Sequence, residues 1–161
     1  MNWQEVCENK TLQDLPFKIE LNKWGQIVMS PAKVIHSFYQ SRIQHLLETL
    51  RKGGFAMQEC AIQTTDGVKS ADVVWVSDAR ADIILEETAA SVAPEICVEV
   101  KSASNTLEEL LGKKDLYLEA GAEEVWICDK GGQLHFYTRQ GQVENSVRIP
   151  DFPKQIQREK N

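Results

Sequence analysis

The sequence predicts an α/β fold of the mixed α+β kind, a mixed central sheet flanked by helices, and three observations lead there. Asp66-Gly67 separates two extended runs, a strong hairpin signal. The run "EICVEVKS" is followed by a helix-like stretch and then by "EEVWICD". Strand, helix, strand at this spacing is a βαβ unit, which requires a parallel pair and a right-handed crossover. A second amphipathic stretch, upstream of the hairpin, supplies another helix. With 42% hydrophobic and 26% charged residues in a chain of 161, one core is the expectation, so residues 1–161 read as a single domain with 1–15 and 151–161 peripheral.

The elements follow in order. "FKIELNKWGQIVMS" reads as two short strands about a turn at Asn22 to Gly25, with Ile19, Leu21 and Ile27 alternating. Ser30-Pro31 offers a helix N-cap and a proline at the first helical position. The helix should run to about Lys52, with Ile35, Tyr39, Ile43, Leu46 and Leu50 at helical spacing and Gly53-Gly54 ending it. "FAMQECAIQTTDG" and "KSADVVWVS" are the hairpin strands, whereas residues 78–92 fit a short helix or a loop equally. Asn105 with Glu108 makes a capping-box pattern for a helix carrying Leu107, Leu110, Leu111, Tyr117 and Leu118 on one side, closed by Gly121. "QLHFYTR" should return antiparallel after Lys130-Gly131-Gly132, and "QVENSVRIP" adds an edge strand. The polar tail after Pro150 should fray.

Composition excludes several classes. No apolar run approaches the ~18 residues of a membrane span, and the N-terminus lacks the basic start and apolar centre of a secretory signal, which points to the cytoplasm. Cysteines 7, 60, 97 and 128 are scattered without a zinc or dithiol spacing. A net charge of −6 gives no whole-molecule attraction to nucleic acid, so a polyanion must meet a local patch. Residues 31–53 offer one, with Lys33, Arg42, Arg51 and Lys52 against the single acid Glu48.

The chemistry concentrates in "EICVEVKS". In a strand Ile96, Val98 and Val100 share one face while Cys97, Glu99 and Lys101 share the other. Charges inside such a run need pairing or a ligand. Glu99 and Lys101 are therefore either a structural ion pair or part of a site at the C-terminal end of the strand, where open α/β sheets keep their crevices. Asp72 opens "DVVWV", on a strand that could be adjacent. Two carboxylates with waters suit Mg²⁺ or Mn²⁺, and a lysine beside them can assist a water or stabilise charge on a phosphate. Asp72 with Glu99 and Lys101 is thus a minimal kit for metal-assisted phosphodiester hydrolysis.

"SADVVWVS" followed by "EICVEVKSASNTLEELLGKKDLYLEAGAEEVWICDK", with "GQIVMSPAKVIHSFYQSRI" upstream, resembles the Uma2 family, also called DUF820, within the PD-(D/E)XK nuclease superfamily. The resemblance spans about residues 16 to 140. It implies a restriction-endonuclease-like core of roughly four central strands flanked by helices, extended by N- and C-terminal antiparallel strands. It further implies Asp72, Glu99 and the backbone carbonyl of Val100 as ligands of Mg²⁺ or Mn²⁺, and Lys101 as the catalytic lysine. Ala71 stands where the superfamily name has proline.

Accessory candidates are His36 with Gln40, one helical turn apart, and Lys113 with Tyr117 at the same spacing. Each has a bland counterpart: a surface histidine beside a polar neighbour, and a core tyrosine beside a lysine whose head reaches solvent. Trp75 and Trp126 read as core, and Glu59 as an additional acid of uncertain facing. The function implied is a metal-dependent endonuclease acting on DNA or another nucleic acid, and cutting both strands of a duplex favours a homodimer. The alternatives are a catalytically inactive nuclease-fold module that binds nucleic acid or protein, and a purely structural ion cluster.

Overall fold

The computed structural model describes residues 1–158. A short helix α1 (Trp3–Glu8) and a 3-10 turn (Lys10–Leu12) lead into a two-stranded antiparallel sheet of β1 (Phe17–Leu21) and β2 (Ile27–Pro31). Helix α2 (Val34–Leu50) precedes β3 (Gly54–Thr64), β4 (Gly67–Ser77), α3 (Asp78–Ile84) and β5 (Ile96–Val100). Helix α4 (Leu107–Glu119), β6 (Glu124–Cys128), β7 (Leu134–Thr138) and β8 (Gly141–Val143) follow. The central sheet has six strands in the order β3-β4-β5-β6-β7-β8, and only β5–β6 is parallel, joined by α4 as the crossover.

Strand periodicity sorts the core into two layers. Val73, Trp75, Ile96, Val98, Val100 and Trp126 pack with Tyr39, Ile43 and Leu47 of α2. Val74, Val76, Cys97 and Val125 pack on the opposite face with α3 and with Tyr117 and Leu118 of α4. Both layers are continuous with buried strands, which explains why "DVVWV" and "EICVEV" carry apolar residues on both faces. Trp75 and Trp126 are buried as expected, Trp126 edge-on to Phe136 with ring centroids 5.0 Å apart. A third cluster fastens Val6 of α1 to Leu21 and Val68. Among the described residues no helix is long and apolar enough to cross a membrane.

Several boundaries differ from the sequence reading. Ser30 and Pro31 end strand β2 instead of opening the helix, and α2 starts after Lys33, with no side chain capping it. Pairing with β1 wins here: Lys18 opposes Ser30 and Phe17 opposes Pro31. The α4 cap is Thr106, whose side chain accepts from the Glu109 N–H, one residue later than the Asn105–Glu108 pattern; Asn105 accepts instead from the Ser102 N–H at 3.1 Å. Residues 78–84 form helix and the segment after it bends back to bridge β3 at Ala90. The segment after Pro150 does not fray over its described part, because Phe152 and Ile156 are buried and the Ile156 N–H donates to the Gly132 carbonyl at 2.8 Å. Residues 159–161 of that tail lie outside the described residues.

The hairpin turn ties the two sheets together. Gly67 has φ +79°, and a Cβ there would meet the carbonyl oxygens of Leu21 and Asn22 at the end of β1. Gly67→Ala is expected to destabilise the fold by about 2 kcal/mol, since it adds left-handed strain to a backbone clash. Urea unfolding checks this, with Gly53→Ala as the comparison: that glycine also has positive φ but faces open space, so its cost should be the smaller.

Candidate active site

The register of β4 against β5 decides the geometry. Trp75 pairs with Ile96, Val74 with Cys97 and Val73 with Val98. One step further sets Asp72 opposite Glu99, with both side chains on the α4 face. Both residues are 1% exposed. The ladder ends there because Asp72 turns its own Oδ2 to the Val100 N–H, at 2.8 Å.

Two buried carboxylates side by side demand cations. Lys18 of β1 supplies the first: its Nζ lies 3.0 Å from Asp72 Oδ1 and 3.1 Å from Glu99 Oε2. Lys113 of α4 supplies the second, 3.0 Å from Glu99 Oε1 and 2.7 Å from Glu20 Oε2. Glu20 in turn accepts from the Ser70 N–H at 2.8 Å, which locks β1 onto β4. Tyr117 donates its hydroxyl to Glu99 Oε1 at 3.0 Å, and His36 Nε2 stands 3.3 Å from Asp72 Oδ2. Asp72, Lys18, Glu20, Lys113 and His36 line a cavity of about 330 Å³ that Phe17, Met29 and Pro31 also border.

The sequence-predicted residues fall into two sets. Asp72, Glu99, Lys113, Tyr117 and His36 come together, and Val100 lines the same cavity. Gln40 is buried but bonds Gln58 at 3.0 Å instead of reaching the two acids. Glu59 does line the cavity, and it takes φ +56°, a left-handed strain inside a strand of the kind that collects at working sites. Lys101 points elsewhere. Strand β5 ends at Val100, so the two-residue period no longer governs the next side chain, and the Lys101 Nζ donates to the carbonyls of Asn105 (2.8 Å) and Ser102 (3.3 Å). Lys18 and Glu20 were missed: the alternation that placed Ile19 and Leu21 inward made their neighbours read as a solvent face. The available signal was Lys18-x-Glu20 itself, two opposite charges on one face of a strand.

The matching chemistry is asymmetric. Burial works against ionising Asp72, but the Lys18 ammonium and the His36 hydrogen bond outweigh it and hold its carboxyl well below the usual range. Burial dominates at Glu99, and with the Asp72 charge it outweighs Lys113 and Lys18, pushing that carboxyl up to about 7. Burial would lower His36, yet its bond to Asp72 raises it, and burial lifts the Tyr117 hydroxyl far up, so it remains a donor. Neighbouring carboxylates pushed apart in this way are a recurrent property of working sites.

Comparison with known proteins gives the family and the fold. The profile of the Uma2 family, described as "Putative restriction endonuclease", matches residues 9–160. The chain belongs to the Uma2 family. A solved structure from Anabaena variabilis ATCC 29413, described as "a putative nuclease belonging to DUF820", superposes with a TM-score of 0.68. It covers 89% of this chain and 83% of that one at 17% identity, a likeness of fold. No curated protein matches the sequence. The Uma2 chain thus carries the nuclease-like core that its motifs implied, with the N-terminal strands in a sheet of their own.

The buried acid gives a pH signature. A carboxyl raised from 4.5 to about 7 binds its proton more tightly folded than unfolded, so its stabilising contribution is full below 4.5 and declines until pH 7. The metal-free Uma2 chain should therefore lose stability relative to Glu99→Gln as pH rises from 5 to 7, and hold a constant difference above 7.5. Thermal melts of both proteins in EDTA check it; a difference that grows the other way contradicts the assignment.

Proposed function

We propose that this Uma2 chain is a Mg²⁺- or Mn²⁺-dependent endonuclease that hydrolyses DNA phosphodiester bonds at the Asp72–Glu99 cavity. The observation that carries the reading is the single ammonium of Lys18 within 3.1 Å of both carboxylates, a stand-in for a cation between them. Among the described residues no three His, Cys, Asp or Glu side chains close on one point. A hard divalent ion with two carboxylates, the Val100 carbonyl and several waters is the occupant such a donor set suits. When bound, that ion would lower the pKa of a water and polarise the phosphate.

The chain's own residues do the rest. Asp72 is fixed through Oδ2 by the Val100 N–H and His36, so its other oxygen, Oδ1, which meets Lys18, keeps one direction. Tyr117 and Lys113 fix Glu99 in the same way. Lys113, held between Glu20 and Glu99, is the amine positioned against the acids to stabilise negative charge growing on a phosphate. Lys101, bonded to two carbonyls, serves this reading as a substrate contact rather than as the group beside the water.

The test is nicking of supercoiled plasmid with Mg²⁺ or Mn²⁺. Asp72→Asn and Glu99→Gln should each lower the rate more than ~100-fold, beyond what losing an outer contact to a metal ligand costs. Lys113→Met should lower kcat by roughly 10²-fold or more, while Lys101→Ala should chiefly raise the DNA concentration needed. Circular dichroism establishes that each variant is folded. A wild type that binds DNA yet never cuts it returns the chain to the inactive, nucleic-acid-binding reading.

A further inference from the structure

A second cavity, of about 180 Å³, lies on the other side of His36 and is lined by Lys33, Lys101, Lys130, Tyr39 and Ser102. Its charge balance differs from that of the first. The larger cavity is lined by the acids Glu20, Glu59, Asp72 and Glu109 together with Lys18 and Lys113, whereas among the described residues no carboxylate lines the smaller one. Its three lysines come from three places in the fold: the residue preceding α2, the end of β5 and the β6–β7 turn. Among the described residues none of the three makes an ion pair, although Lys18, Lys69, Lys113, Lys114 and Lys154 all do. In a chain of net charge −6, three lysines without an ion pair thus gather around one hollow.

Three further features point to an anion. Helix α2 begins at this cavity with no side-chain cap, so its first N–H groups and the positive end of its dipole are unmet by any side chain. His36, 7% exposed, forms part of the wall; its Nε2 engages Asp72 while its Nδ1 is buried without a partner among the described residues. The Lys101 ammonium is held in place, spending two donors on carbonyls and keeping a third, and the Lys130 backbone is tied to the wall by the Tyr39 hydroxyl, which donates to its carbonyl at 3.4 Å.

We infer that this cavity binds a backbone phosphate of the nucleic acid next to the one that is cleaved, with Lys33, Lys101 and Lys130 as its cations. The identity of the ligand rests on the nuclease reading, because a phosphate seated across His36 from Asp72 belongs to the strand lying in the larger cavity. The site gives affinity and register without sequence preference, as phosphate contacts do. It also accounts for a lysine of the E-x-K motif that leaves the acids: Lys101 holds the substrate strand.

The experiment is equilibrium binding of a fluorescent DNA duplex in EDTA, across a salt series, so that no cleavage enters. Lys33→Ala and Lys130→Ala should each weaken binding severalfold and make the log Kd against log salt slope shallower by about 1. Lys10→Ala, the same charge change on the N-terminal 3-10 turn and outside both cavities, should leave affinity within about twofold and the slope unchanged. Equal effects at Lys10 and Lys130 would mean a general field and overturn the site, as would unchanged binding by both cavity variants. Titration with inorganic phosphate, followed by the amide NMR signals of Val34 and Ala103, separates the source. Phosphate binding without duplex binding overturns the polynucleotide assignment, and response to neither probe sinks the site altogether. Absence of cleavage when Mg²⁺ is restored bears on the nuclease reading and leaves these binding results standing.

Discussion

Two carboxylates buried opposite each other on neighbouring strands are the constraint from which the rest of this molecule follows. Asp72 and Glu99 have almost no contact with solvent, and the sheet register leaves them no other direction. An uncompensated charge there would cost several kcal/mol. The protein answers with Lys18, Lys113, Tyr117 and His36, one from β1, two from α4 and one from α2. Three separate elements are thereby bound to β4 and β5 at one point, and the N-terminal hairpin, a sheet by itself, is held in place by Lys18 and Glu20 as well as by its apolar contacts.

Such a network is a poor way to gain stability. Replacing a buried ion cluster with apolar side chains is often neutral or stabilising. The surroundings could accept that: Cys97, Val74 and Tyr117 already make a dry layer on the same face. Keeping two acids, two lysines and a strained Glu59 beside an open cavity is better explained by use than by folding. That argument agrees with membership of the Uma2 family without depending on it.

Most of the site was legible in the sequence because it follows strand periodicity. Glu99 and Asp72 each interrupt an apolar run, and alternation alone puts them on definite faces. The i, i+4 pair of Lys113 and Tyr117 was readable for the same reason, from the helical period. Legibility failed where periods end. Lys101 follows the last residue of β5, so its parity with Glu99 carries no direction. Ser30-Pro31 has the local chemistry of a helix start, but cross-strand pairing with Phe17 and Lys18 extends the strand through it. Lys18 and Glu20 were hidden because a strand with one charged face ordinarily meets water, and only the tertiary fold covers it. Phe152 and Ile156 belong to a tail polar enough to read as frayed, yet two apolar residues suffice to dock it beside Trp126.

His36 is where these strands of argument meet. It is the wall between a cavity where acids outnumber lysines and one lined by lysines, and it touches Asp72 while its other nitrogen has no partner among the described residues. A polyanion approaching a chain of net charge −6 meets repulsion at long range, so its hold must come from short-range contacts of opposite sign. Acids alone would repel a phosphate, and lysines alone would bind it without chemistry. In the function proposed above, setting the two a single side chain apart would let one hollow neutralise the strand while the other presents fixed oxygens to a divalent cation. Lys101, displaced from the acids by the end of one strand, takes the neutralising side of that proposed division of labour.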